Sequence, residues 1–412
     1  MFLTKLAIKN LWRHRNRTLI TSTIIAFAIF YYILLDSMIG GMTQMSYQTL
    51  IDYEAGHLQL VNQAYWVEEE ELPLENLLVV DEQIISDIEK LKGYRGSSPE
   101  LNFQALLNNG INELPVIGKG IDPERFDDVF FLEDQYVEGS MFSTGQYQAV
   151  IGKRLADLLQ LEVGDYITLL VKDKNKTFNT IDVELAGLVH TGNPNVNNNF
   201  VYLPLGLVQQ ALNVDNQVSK VIIRLENAGL AKQAASELRD KVKGIDNRLQ
   251  VYSWDELEAV AVASAKQAGA QLMLVIILLI AAIAIVNTVI LAALERMEEI
   301  GMMKAMGLQV KEIVYIFVLE SAGIGILGGL IGVILGAIGV WLFNIYGLDF
   351  DAWMNVDMAS FGIPVIGKMY GVWNPQAFVM VFSFGVLVSL LASIFPAYWA
   401  ADKDPVKAIN HR

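Results

Sequence analysis

The stretch "ALERMEEIGMMKAMGLQVKEI", Ala293 to Ile313, decides how the chain is read, because it joins two runs that only a membrane accommodates. Within it Met297, Ile300, Met303, Met306, Val310 and Ile313 recur every three or four residues and form one apolar stripe. Glu295, Arg296, Glu298, Glu299 and Lys304 lie off that stripe, and Gly307 is placed to break the helix into two arms. The pattern predicts a short helical elbow between two spans. Methionine adapts to irregular grooves, so the stripe is a candidate docking surface. A linker lying against the membrane would show the same periodicity.

Four segments meet the spanning requirement of about 18 or more mostly apolar residues. They are roughly Thr18–Leu35, Leu272–Leu294, Tyr315–Phe343 and Phe378–Phe395 in a chain of 412 residues that is 53% hydrophobic. The fold class expected is a membrane protein with four transmembrane helices and a large polar α+β domain between the first and second. Residues 1–40 would hold an amphipathic helix and the first span, 41–268 the polar domain, and 269–412 the remaining three spans with the elbow.

Charge orients these parts. Residues 41–268 carry 34 acidic and 18 basic side chains, while residues 1–17 carry Lys5, Lys9, Arg13, Arg15 and Arg17 and no acid. The positive-inside rule then puts the N-terminus in the cytoplasm and the large domain outside. Four spans return the C-terminus to the cytoplasm, where Lys403, Lys407 and Arg412 agree; the short outer loop, about 344–376, has Lys368 against Asp349, Asp351 and Asp357. The first span reads as an uncleaved anchor, since no small-residue cleavage site follows it. The chain has no cysteine, which removes disulfides, thiolate metal sites and lipid-modified cysteine.

Before the first span, Lys5, Lys9, Arg13 and Arg17 recur every four residues, with Leu3, Leu6, Ala7 and Leu11 on another face. Such a helix suits the inner membrane surface. In the large domain, strand and helix signals alternate at both ends, as two β-α-β units. A strand-rich stretch, roughly 115–215, lies between them and reads as an inserted β-rich subdomain. The helix "DELEAVAVASAKQAG" is expected to run straight into the second span.

Signals for catalysis are poor. His14, His57, His190 and His411 are scattered, "EEEE" at 68–71 reads as a solvated acidic loop, and "HTGNPNVNNN" at 190–199 as a polar turn. No GxxxxGK[ST] phosphate loop occurs, and no metal or catalytic site is assigned. The third span says more. Gly325/Gly329, Gly328/Gly332 and Gly332/Gly336 give three overlapping GxxxG spacings, which let another helix approach closely. Glu320, near the inner end of that span, is costly if buried without a partner and needs none if it sits at the membrane surface.

"ERMEEIGMMKAMG" strongly resembles the "ER..EIG..KA.G" motif of FtsX-like ABC permeases, the class of MacB-type exporters and lipoprotein-releasing Lol-type permeases. "LAIKNLWRHRNRT", "LESAGIGILGGLIGVILG" and "FPAYWAADKDPVKAINHR" are similar to that family's N-terminal helix, third span and closing tail. "VIGKRLADLLQLEVGDYITLL" and "GLVHTGNPNVNNNFVYLPL" are looser matches to the Lol-type outer domain. The resemblance implies a MacB-like periplasmic core in an inner-membrane protein with both termini cytoplasmic. It makes the elbow a coupling helix, with Glu295, Arg296, Glu299, Ile300, Gly301, Lys304, Ala305 and Gly307 at the matching positions. It implies a separate cytoplasmic ABC ATPase dimer, which would hold ATP and Mg, because the ATPase domain that MacB-type proteins carry before the first span is missing here. It also implies a second permease, either another copy or a paralogue, and no nucleic acid.

Asn287 is the only strongly polar residue deep in the second span, which favours moving a substrate on the outer side over pumping one through the bilayer. Lipoprotein release fits that. Three acyl chains of about 15 buried carbons, at about 0.8 kcal/mol each, cost on the order of 35 kcal/mol to expose to water. Extraction therefore needs an apolar cleft, which Phe27, Phe30, Tyr31 and Tyr32 are placed to line, and a periplasmic carrier as acceptor. Each of these aromatics taken singly better suits ordinary lipid contact or interfacial anchoring. Export with an outer adaptor, and activation of a cell-wall hydrolase, are the alternatives.

Overall fold

The structure is a computed structural model and describes residues 2–349 and 367–402. Asp351, Asp357, Lys403, Lys407, His411 and Arg412, named above, lie outside the described residues. The chain divides into two compact units. One holds the N-terminal helix, the elbow and most of the spans; the other is built around a large sheet.

The helical unit begins with a helix at Phe2–Arg13 and the first-span helix at Arg15–Leu50. The second-span helix is Glu258–Leu294, the elbow Met297–Ala305, the third-span helix Val310–Tyr346 and the fourth Pro375–Asp402. All four long helices are apolar enough to cross a membrane. The first is longer than the sequence alone marked, and the second continues without a break from the helix before it, as expected. At ~1.5 Å per residue each runs about 55 Å, well beyond a hydrocarbon core of ~30 Å. The division between the units falls inside these two helices.

Glycine governs how the spans pack. A β-carbon on Gly328 or Gly332 would lie 2.7 Å from the carbonyl oxygen of Ser22 or Ala26, and one on Gly336 would lie 2.8 Å from Ile33. On a second face, Gly325 meets Val386 and Ser389, and Gly329 meets Phe382. The third span is thus wedged between the first and fourth. The two overlapping sets of glycines serve two different partners. The Ser389 hydroxyl donates to the Ser321 carbonyl at 2.7 Å, which adds a polar tie. Leu274, Leu278, Ile285 and Val289 of the second span pack on the same core through one narrow stripe, with Ile25, Ile29, Tyr32 and Ile33.

The other unit carries a ten-stranded mixed sheet: β1 (Leu58–Asn62), β2 (Tyr94–Asn108), β3 (Glu113–Ile121), β4 (Tyr136–Gly139), β5 (Gln148–Gly152), β6 (Tyr166–Lys172), β7 (Phe178–Val189), β8 (Phe200–Pro204), β9 (Lys220–Leu225) and β10 (Leu249–Ser253). Its order is β10-β1-β9-β2-β3-β8-β5-β7-β4, with β6 pairing both β2 and β7. Strand β1 lies antiparallel between β9 and β10, so the second β-α-β unit is split by β1. The helices at Glu82–Glu89 and Ala231–Ile245 cover this end, over a core that includes Leu58, Ile84, Ile88, Ile223, Leu238 and Val251.

The inserted β-rich stretch has its own core, with Leu155, Leu159, Leu169, Val183 and Leu203, but not its own sheet. Fifteen-residue β2 pairs with β9 over its first half and β6 over its last, and so belongs to both parts. Two polar stretches each contribute a structural contact, although Glu68, Glu70 and Glu71 stay exposed, as expected of a solvated acidic run. Glu69 of the acidic run pairs with the buried Lys220 at 2.7 Å. Asn193 of the polar turn caps a short helix and donates to Glu54 at 2.7 Å.

Candidate functional site

The elbow is as short as expected. It ends where Gly307 adopts φ +96°, and the third-span helix then starts with a Gln309/Glu312 capping box. Its orientation corrects one expectation. Met297, Ile300 and Met303 are buried against Ile313, Ile316, Phe317, Ala397, Ala400 and Ala401, together with Ala7 of the N-terminal helix. The apolar stripe therefore holds the elbow to its own chain and is not a docking surface; Met306, the exception in that stripe, is 73% exposed. The reason is tertiary: the N-terminal helix and the ends of the third and fourth spans converge on that face.

The motif residues divide accordingly. Ile300 and Gly301 are buried; Lys304 donates to the carbonyls of Ala401 at 2.9 Å and Asp402 at 3.3 Å, capping the last turn of the fourth span. Glu295, Ala305 and Gly307 are exposed, in line with Glu298 and Met302, so Glu298, Met302 and Met306 form the outward stripe.

Arg296 and Glu299 belong to a polar cluster that joins three elements. Glu320 of the third span, with its side chain 7% exposed, accepts from the Asn10 amide at 2.6 Å and from the Arg296 guanidinium. Arg296 Nε also donates to Glu299 at 2.8 Å, and its guanidinium lies over the Phe317 ring, 4.6 Å from the centroid. His14 Nε2 sits 3.1 Å from the other Glu299 oxygen. Burial, which alone would raise the Glu299 pKa, is outweighed by Arg296, and the carboxyl is held below its usual range. A cavity of about 40 Å³ beside the cluster is lined by Thr18, Val289, Ser321 and Ser393, among others.

Sequence reasoning marked Glu320 as needing a partner if buried but missed Asn10 and His14. They follow Leu3 and Ala7 at helical spacing, and that periodicity is the signal that places them on the packed face. Three of the four aromatics of the first span lie together, since the Phe27 ring is 6.4 Å from those of both Phe30 and Tyr31, while Tyr32 is apart from them. Phe27 and Tyr31 are 65% and 45% exposed and stack at 6.4 Å; Phe30 reaches Gly339; Tyr32 is buried in the core of the spans.

Residues 18–241, more than half of the chain, match the family described as the MacB-like periplasmic core domain, and residues 272–405 match the FtsX-like permease C-terminal family. Among curated proteins, the lipoprotein-releasing system transmembrane protein LolC of Xylella fastidiosa is 23% identical over 77% of this chain and 78% of its own length. The LolE protein of the corresponding system in Haemophilus influenzae is 22% identical, over 77% of each chain. The macrolide export ATP-binding/permease protein MacB 2 of Aeromonas hydrophila is 26% identical over 78% of this chain, which spans 48% of that longer protein. The chain is an ABC transporter permease, and it belongs to the family that joins a MacB-like periplasmic core domain to an FtsX-like permease region.

Proposed function

We propose that this permease works with a separate cytoplasmic ATPase dimer and a second permease, a further copy or a paralogue. In this reading it releases lipoproteins from the outer leaflet of the inner membrane to a periplasmic carrier. The observation that carries the ATPase assignment is the two-sided elbow. Its inward face is occupied by its own spans, while Glu298, Met302 and Met306 stand outward as an acidic and thioether stripe. A groove with an apolar floor and a basic rim fits that face. The elbow and both termini are then cytoplasmic and the sheet domain periplasmic. Exposed Phe27 and Tyr31 are the proposed cleft-lining pair. Lipoprotein as substrate is supported by the likeness to LolC and LolE over about three quarters of each chain.

Because the chain has no cysteine, single cysteines report without background. We expect Met302→Cys and Met306→Cys to cross-link to an ATPase in native membranes, and Ile300→Cys and Met303→Cys to stay silent. Cross-links from the second pair alone would overturn the assigned face. Mild-detergent purification followed by mass spectrometry then tests the rest. Triacylated lipoproteins beside an ATPase support release, an adaptor protein supports export, and the absence of any ATPase removes the whole reading.

A further inference from the structure

We propose that Glu320 and Arg296 are positioning residues for coupling: their buried pair locks the elbow and the N-terminal helix to the third span, so that force on the elbow moves that span instead of being lost in slippage. The proposal rests on the reading that an ATPase drives the elbow. Four observations point to it. The pair is the junction of three elements, because Asn10 comes from the N-terminal helix, Arg296 and Glu299 from the elbow, and Glu320 from the third span. Both charges are almost out of solvent, at 11% and 7% exposure, where a slipped geometry leaves an unpaired charge in a low dielectric. The planar guanidinium is held in one plane by two carboxylates and one ring, which leaves it little freedom to re-pair. The third span, in turn, is closely packed, since its glycines touch the first span on one face and the fourth on another. A displacement that enters at Arg296 therefore passes into closely packed helices.

A stabilising role and a coupling role make different predictions about an apolar replacement. Exchanging a buried ion pair for methionines of similar volume is often neutral for stability, yet it removes the directional lock. The decisive experiment compares the wild-type pair with the double variant Arg296→Met/Glu320→Met in the ATPase-bound complex. Spin labels are placed on Leu294→Cys, at the root of the elbow, and on Leu335→Cys, which is exposed on the third span. With the pair intact we expect one narrow inter-label distance, the same without nucleotide and after trapping with ATP and vanadate. In the double variant we expect thermal stability and ATPase co-purification to persist while the distance broadens or becomes dependent on nucleotide. A double variant as narrow and invariant as the parent overturns the proposal, as does a broad distribution with the pair intact. If no ATPase co-purifies with the parent, the ATPase reading fails instead. The same label pair in the permease alone then still shows whether the lock exists.

Discussion

Each unit of this permease buries one arginine against a carboxylate near the end of a long helix, and the two sites differ in what surrounds the arginine. Arg296 is shared between Glu299 and Glu320, with His14 on the far side of Glu299. Arg224, in the sheet domain, pairs with Asp52 at 2.6 Å, donates to the Ile51 carbonyl and lies over Phe131, 4.5 Å from the ring centroid. It has one carboxylate, not two, and its neighbour is His57. His57 is buried and accepts the Leu225 N–H through Nδ1 at 3.1 Å. Burial and the Arg224 charge push its pKa down to about 4. The first site sets two carboxylates against the arginine. The second depends on an imidazole remaining neutral. The same ion-pair chemistry thus gives a joint shared between two carboxylates in one unit and, in the other, one made acid-sensitive by its histidine.

The largest effect is expected from breaking the first joint on one side only. Glu320→Ala leaves Arg296 buried with one partner lost, and removing one member of a buried pair costs roughly 3–5 kcal/mol. Thermal unfolding in detergent should show it, and the double methionine variant should recover most of the loss. If the single and double variants are equally unstable, the pair is not the unit described here.

The second joint should respond to pH. Its histidine has a folded pKa near 4 against 6.5 unfolded, so the unfolded chain binds the extra proton between those values. This contribution to stability is complete above pH 6.5 and is lost as pH falls toward 4, a change of about 3 kcal/mol. Asp127, pushed up to about 6 by burial and then by Glu133 and Asp128, acts in the opposite direction over part of that range. The informative quantity is therefore the difference between the parent and His57→Gln, whose slope should be flatter. Parallel pH profiles would remove His57 from the account.

Packing effects come next. Gly332→Leu forces a side chain where a β-carbon already lies 2.7 Å from the Ala26 carbonyl, and overpacking of this kind costs typically 1–3 kcal/mol. Reduced yield of the folded permease should follow, whereas Gly269→Leu, where nothing lies within 4 Å, should be silent. The smallest change in stability, within about 0.5 kcal/mol, is expected for Met302→Asp on the exposed face of the elbow. Loss of ATPase co-purification without loss of stability is the expected signature there, and retention of the ATPase would remove Met302 from the docking face. Gly301→Trp makes a poorer test than its place in the motif suggests. Gly301 is buried, so the variant would unseat the elbow from its own spans.

Much of the architecture was legible in the residues because it rests on periodicity and composition, which are local. The four spans, the elbow between the second and third, the break at Gly307 and the alternation of strands and helices in the large domain can each be read from a window of a few turns. The GxxxG spacings likewise announced close helix contacts, whereas Glu320 needed a partner only if buried, which the sequence left open. What the sequence could not say is which surface meets which. The methionine stripe is equally apolar whether it faces a partner or its own chain, and only the positions of Ile313, Phe317 and Ala397 turn it inward. The two glycine faces could not be assigned to the first and fourth spans, and the inserted strands could not be seen to share β2 with the rest of the sheet. Asn10 and Arg296 lie 310 and 24 residues from the carboxylate they share. Local pattern fixes which face of an element is apolar. Pairing those faces over such separations depends on the closure of the whole chain, and only the tertiary structure decides it.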